Sequence, residues 1–281
     1  MFRILAIAGA LLLAAAAIGA GYSVAATDWM LLRHRTAPLL PVSATAGPED
    51  APEGRRMAIL LGCLEGCHGE TGDGLTLNHS GVYTLTAPPL GTALADYSDA
   101  EAARLLRYGV KKDGRSAILM PAATFYPLSE DDIARVLVHL RSLPRVEGPR
   151  RVRKLHWEGR RALLAGEWHV SADEVDPSRP RWGEEPRRTA SERGRYLASI
   201  ICAECHGVDF QGVKFEGSPS LAIAAAYPDE DFHTLMKTGV PLGGRDLGIM
   251  SEVARDAFVY FTDEEIADIH AFLKWNFGVE E

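Results

Sequence analysis

Cysteine is scarce in this chain of 281 residues: there are four, and none is left over once they are grouped as Cys63/Cys67 and Cys202/Cys205. Any account of the thiols must therefore explain two copies of one arrangement. A basic excess is missing too. Thirty Lys and Arg stand against 38 Asp and Glu, a formal net charge of −8, which argues against a general nucleic-acid binder, whose footprint is basic. Convincing strand pairs are also wanting, so the βαβ setting of a thioredoxin-type dithiol is excluded. What is there suits a folded chain, with 47% apolar and 24% charged residues. The length allows one large domain or two of about 100 residues with linkers.

The N-terminus carries the one long apolar run, from Ile4 to Ala26 behind Arg3. A secretory signal has an apolar core of roughly 7–15 residues, and a spanning helix needs about 20. The run reaches the second length, and Tyr22 and Trp29 sit near its outer end, where amphipathic rings favour the interface. Ser23-Val24-Ala25 nevertheless fits a small-residue cleavage site. Two readings stand, a retained anchor and a cleaved signal. Both place the folded part on the periplasmic side, either anchored to the cytoplasmic membrane or soluble.

The rest of the chain is duplicated. Aligning the cysteine pairs brings Arg56-Met57-Ala58 onto Arg195-Tyr196-Leu197, and Gly69 and Gly74 onto Gly207 and Gly212. Pro89 precedes Tyr97 by eight residues, as Pro219 precedes Tyr227. Tyr97 precedes Gly109 by twelve, as Tyr227 precedes Gly239. Met120 follows Gly109 by eleven, as Met250 follows Gly239. In this register the first copy has eight extra residues between His68 and Pro89. Each copy ends in an amphipathic helix, one after Ser129 with Ile133, Val136, Leu137 and Leu140, the other after Thr262 with Ile266, Ile269 and Leu273. A third helix start stands at Ser98 to Glu101, and Gly109 ends that helix. The fold class expected is all-α: two tandem helical domains after an apolar helix. The divisions are 1–30 anchor or signal, 31–53 linker, 54–145 first domain, 146–190 inter-domain linker and 191–281 second domain. The inter-domain stretch holds Arg150, Arg151, Arg153, Lys154, Arg160 and Arg161. It reads as a solvated face that packs in part, with docking to an acidic partner or lipid head groups as the alternative.

Each cysteine pair is followed at once by a histidine. Cys202-Ala203-Glu204-Cys205-His206 is C-x-x-C-H, a pattern of covalent haem c attachment. Two thiols must meet the two vinyl groups of one porphyrin, and the next side chain must swing an imidazole under the iron. Cys63-Leu64-Glu65-Gly66-Cys67-His68 has one more residue between the thiols, where Gly66 lets the loop bulge. The repeat register supports attachment there as well, with a Cys63–Cys67 disulfide as the rival. Zinc would need the two pairs to meet and would leave both histidines without a role. Sixth ligands are expected from Met120 and Met250, which sit in loops rather than on an apolar stripe, since a thioether favours ferrous iron. Met57 and Met236 read as packing, and His79 is the alternative ligand to test.

With these motifs in place, Arg56–Leu143 and Arg195–Phe277 resemble two class I cytochrome c domains, as in membrane-anchored dihaem cytochromes of bacterial respiratory chains. The resemblance implies His68 and Met120 on one iron and His206 and Met250 on the other. It implies that a helix before each cysteine motif crosses the terminal helix of its domain, and that Pro89 and Pro219 lie near the two imidazoles. Two covalently attached haems with six-coordinate irons imply an electron carrier rather than an enzyme. The partners expected are a redox donor and acceptor, the membrane through the N-terminal helix, the other subunits of a larger complex, and no nucleic acid. The rival from another class is a dihaem peroxidase, which needs an iron that opens and acid–base groups over it.

Overall fold

The computed structural model describes residues 2–42, 46–214 and 217–279. The expectations that touch Met1, residues 43–45, 215–216 and 280–281 lie outside them. The fold is all-α in its framework, as the periodicity implied. Helix α1 (Phe2–Leu32) is apolar over most of its length, and its Arg3–Leu32 portion is long and apolar enough to cross a membrane by length and composition. Residues 3–22 are exposed; from there on Ser23, Thr27 and Leu31 turn one buried face, at intervals of four, towards the folded part.

In the first helical set, α2 (Ala51–Leu60) leads into the first cysteine motif. The residues that the first copy adds form an antiparallel hairpin, β1 (Leu75–His79) and β2 (Tyr83–Ala87), with Leu75 opposite Ala87 and His79 opposite Tyr83. This corrects the expectation of no strand pairs. There follow α3 (Leu90–Ala93), α4 (Asp99–Tyr108), α5 (Ala122–Phe125) and α6 (Glu130–Ser142). Ser98 caps α4 with a reciprocal Glu101 contact, and Gly109 ends it at φ 63°.

The stretch 146–190 is more structured than a linker. It supplies β3 (Arg153–Leu155), which pairs with β2 so that Tyr83 faces Leu155. Helix α7 (Trp157–Ala165) then packs on α1. Leu155, Leu163 and Val170 close a small core around Leu31. The second helical set runs α8 (Ala190–Leu197), α9 (Ala203–His206), α10 (Ala222–Ala225), α11 (Asp229–Thr238), α12 (Ile249–Asp256) and α13 (Asp263–Phe277).

The two sets repeat one packing device. Helix α2 crosses α6 at Gly54, where a Cβ would stand 2.0 Å from the Arg135 carbonyl oxygen. Helix α8 crosses α13 at Gly194, where a Cβ would stand 1.8 Å from the Asp268 carbonyl oxygen. Only glycine permits so close an approach. A single cluster of buried side chains, from Met57 to Leu273, runs through both sets. Polar contacts join them near corresponding positions. Arg56 of α2 binds Glu265 of α13. In return the Tyr196 hydroxyl of α8 donates to Asp132 of α6 at 2.5 Å and accepts from the Ser129 N–H at 3.1 Å.

Candidate haem sites

The second motif is a short helical run. Cys202 (φ −71°, ψ −29°) precedes α9, so one turn separates its thiol from Cys205 and brings His206 round beneath. The His206 ring is 9% exposed, and its Nδ1–H donates to the Pro219 carbonyl at 2.8 Å. That bond sets the tautomer and leaves Nε2 as the lone-pair nitrogen.

The first motif reaches a similar end by a different path. Across Cys63–Cys67 the chain leaves helical geometry at Leu64, Glu65 and Gly66. The positive φ falls on Glu65, at 60°, while Gly66 takes φ −121° and ψ −118°. Glu65, not Gly66, thus makes the left-handed step that absorbs the extra residue. His68 Nδ1–H then donates to the Pro88 carbonyl at 2.7 Å. The acceptor is Pro88 and not Pro89, which shifts the repeat by one residue. His68 and Pro88 are 20 residues apart, and His206 and Pro219 are 13 apart, so the first copy carries seven extra residues here rather than eight. Two further contacts fix this register. Leu90 N–H donates to Gly72 as Leu221 N–H donates to Phe210, and Gly74 N–H donates to His68 as Gly212 N–H donates to His206.

Cys63 is buried, Cys67 and Cys202 are half-buried and Cys205 is exposed. Burial pushes the Cys63 thiol up to about 12 and the Cys67 thiol up to about 11. Burial likewise pushes Cys202 up to about 12. A thiol held protonated by burial is a poor nucleophile. The Glu204 carboxylate, from the second motif, adds to the shifts of both Cys63 and Cys67. It lies 3.9 Å from where a Cβ on Gly62 would be. The two motifs therefore face one another, a juxtaposition that nothing in the sequence spacing announces. Burial also holds the His68 imidazole below its usual pKa, against the pull of the Pro88 carbonyl.

Met120 and Met250 both pack partly buried against the core. Met120 lies in the irregular segment before α5. Met250 lies in the first turn of α12, not in a loop as expected. The neighbouring Ser251 is fully buried, with its hydroxyl donating to the Gly239 carbonyl at 2.7 Å. Val240, Leu242 and Ile249 expose apolar side chains around this turn. His79 ends β1 and sets its ring edge-on to Tyr83, 5.7 Å away, in the hairpin. Among the described residues, no group of three or more His, Cys, Asp or Glu is placed to hold a metal ion.

This chemistry suits haem c. Paired thiols stand beside an imidazole whose Nδ1 is held by a carbonyl. The comparisons agree for the second copy, where the cytochrome c family matches residues 191–276. Over a longer reach the chain is similar to the fructose dehydrogenase cytochrome subunit of Gluconobacter japonicus. The two are 23% identical over 274 residues, taking in 85% of this chain. The chain spans about half, 55%, of that relative's length. Residues 191–276 thus resemble a cytochrome c domain, and the likeness to a cytochrome subunit extends over most of the chain.

Proposed function

We propose that the protein is a dihaem electron carrier, held at the periplasmic face of the cytoplasmic membrane by α1, that serves as the electron-transfer subunit of a substrate-oxidising dehydrogenase. The observation that carries this reading is the doubled histidine device. His68 and His206 each follow a cysteine pair, and each gives its Nδ1–H to a proline carbonyl. Cys63 and Cys67 would hold one haem and Cys202 and Cys205 the other. His68 and His206 would offer Nε2 to iron, while Met120 and Met250 would offer a thioether. Bound haem supplies a one-electron iron couple; the chain sets its potential through ligands and burial.

Facing motifs suit a relay, and Glu204 of one sits beside Gly62, the residue before Cys63 of the other. The relative's description as a cytochrome subunit supports a dehydrogenase as the partner. Retention of α1 is supported by its lower end. Arg160 of α7 donates to the Val24 carbonyl and to Asp28, at 3.2 and 3.0 Å, and binds the Thr27 hydroxyl. Cleavage after Ala25 would divide that contact set.

The test is a haem count on the full chain purified from membranes without over-expression, with the co-purifying proteins identified. Two haems per chain and a dehydrogenase subunit are expected. One haem per chain removes the first site from the reading. In Met120→Ala and Met250→Ala, each change should abolish the weak red absorption of its own oxidised site. If the band survives both, the ligand assignment is wrong.

A further inference from the structure

The folded part has a distinct face at the foot of α1. The exposed apolar stretch from Ile4 to Tyr22 is 19 residues. At 1.5 Å per residue it spans about 28 Å, close to the thickness of a bilayer's hydrocarbon core. Protein contact begins at the next residue, the buried Ser23. Helix α7 lies alongside this end. Arg160 reaches residues 24–28, and three positions on Leu163 joins the core around Leu31. Trp157, at the start of α7, is therefore at the end of that helix nearest the apolar stretch. It is 62% exposed, and Leu164, two turns on, is 42% exposed. Trp29 and Tyr22 of α1 are exposed as well.

Cations stand behind that end, at the level of residues 28–35. Arg153 and Arg160 line a cleft of about 130 Å³ with Asp28, Leu31, Leu32 and Leu155. Arg150, Arg151, Arg153 and Lys154 are exposed on the approach to and along β3. The Lys111–Arg115 turn is pinned to the helix foot by the Arg35 N–H, which donates to the Gly114 carbonyl at 2.8 Å. The Lys111 ammonium is held below its ordinary pKa by burial and by Arg115, Arg153 and Arg151, although Asp113 opposes. Positive charge is thus in local excess in a chain whose total is −8.

We propose that this face, with Trp157 at its tip and the Arg150–Lys154 cations behind it, seats the folded part on an anionic phospholipid surface. The assignment rests on the reading of α1 as a retained anchor. An acidic protein would also be attracted by the cations, but continuity with a stretch of bilayer length decides for lipid. Tryptophan favours the headgroup boundary, where its ring is buried and its N–H is wet. Basic side chains beside a spanning helix are attracted to anionic lipid. The hairpin of the first copy would then have a purpose beyond the haem site. Its β2 strand carries β3, and the Glu158 N–H donates to Gly81 of its turn at 3.1 Å, so the added residues help build the seat.

The test places a photo-crosslinking residue at Trp157 in the full, haem-loaded chain. Matched chains carry it at Tyr22 as an anchor control and at Trp275, 65% exposed on α13, as a distant control. Each is reconstituted into vesicles of phosphatidylcholine alone or with phosphatidylglycerol. Phospholipid adducts are expected at 22 and 157, not at 275, with a several-fold higher yield at 157 when phosphatidylglycerol is present. Changing Arg150, Arg151, Arg153 and Lys154 together to Gln should erase that difference. Adducts at 22 without adducts at 157, equal labelling of 157 and 275, or no dependence on phosphatidylglycerol would each overturn the proposal. Absence of adducts at 22 would instead remove the anchor, and the seat with it.

Discussion

The guanidinium of Arg56 holds the carboxylate of Glu265 through two hydrogen bonds of 2.8 Å each, although 209 residues separate them. The pair joins the helix before the first cysteine motif to the terminal helix of the second copy. It is four-fifths buried on both sides, with side chains 22% and 20% exposed, and Arg56 also donates to the Tyr260 carbonyl at 3.1 Å. The fork matches the carboxylate, so the geometry is that of a strong pair. In a double-mutant cycle of Arg56→Ala and Glu265→Ala, a coupling of about 1 kcal/mol is expected, discounted for partial exposure. Urea unfolding of the four proteins measures it. Strict additivity would mean that the contact contributes nothing to the joining of the two helical sets.

Gly54 and Gly194 give the second prediction. Each sits where helices cross, and an added Cβ would meet a carbonyl oxygen at 2.0 or 1.8 Å. The helices would have to separate. Gly54→Ala and Gly194→Ala should each cost about 3 kcal/mol, the upper part of the range for overpacking, despite alanine's better helix propensity. Denaturant midpoints check this, and a gain in stability would show that the crossings can relax freely.

Much of this was legible because it is local. The Ser98, Ser129 and Thr262 caps, the apolar stripes behind them and both cysteine motifs are set by residues within a turn or two of each other. The hairpin had a signal as well. Leu75-Thr76-Leu77 and Tyr83-Thr84-Leu85-Thr86 alternate in a period of two around Gly81, whose φ is 75°. The third strand was out of reach, because Arg153–Leu155 is short and charged and pairs with a strand about 70 residues earlier. Pro88 was missed for a different reason. Two prolines stand side by side, and matching the spacing to Tyr97 selected the wrong one; the shared Leu90 and Leu221 would have selected the right one. Glu204 beside the first motif depends on how the two copies pack, which no spacing encodes.

The C-x-x-x-C-H loop yields the third prediction. Glu65 is exposed and holds φ at 60°. A left-handed conformation costs a non-glycine residue roughly 1–2 kcal/mol. Glu65→Gly removes that cost but makes the unfolded chain more flexible. A net gain of about 0.5–1 kcal/mol is expected, with no loss of haem at this site. Thermal unfolding and a haem count report the two effects. A lower melting temperature would mean that the Glu65 side chain contributes contacts worth more than the backbone strain.

His270 supplies a pH dependence away from the haem sites. Its ring is 3% exposed and stacks on Phe232 at 4.3 Å. Nδ1 lies 2.8 Å from Asp229, and Nε2 lies 3.3 Å from the Ala224 carbonyl. Burial and the Lys274 ammonium push its pKa below the ordinary 6.5, and they outweigh the opposite pull of Asp229 and of the carbonyl. The neutral ring then donates from Nδ1 to Asp229, the shorter contact. Above pH 6.5 neither the folded nor the unfolded chain carries this proton, so the contribution is fully present. As pH falls through 6.5 the unfolded chain takes up the proton first, and stability drops until the folded pKa is passed. His270→Gln removes the titrating group, so its stability curve should be flatter just below pH 6.5 than that of the wild type, even if its plateau is lower. Asp229→Asn removes the charge that favours the imidazolium and should steepen the wild-type slope. The two variants therefore move the slope in opposite directions, which a simple loss of packing at either position would not do.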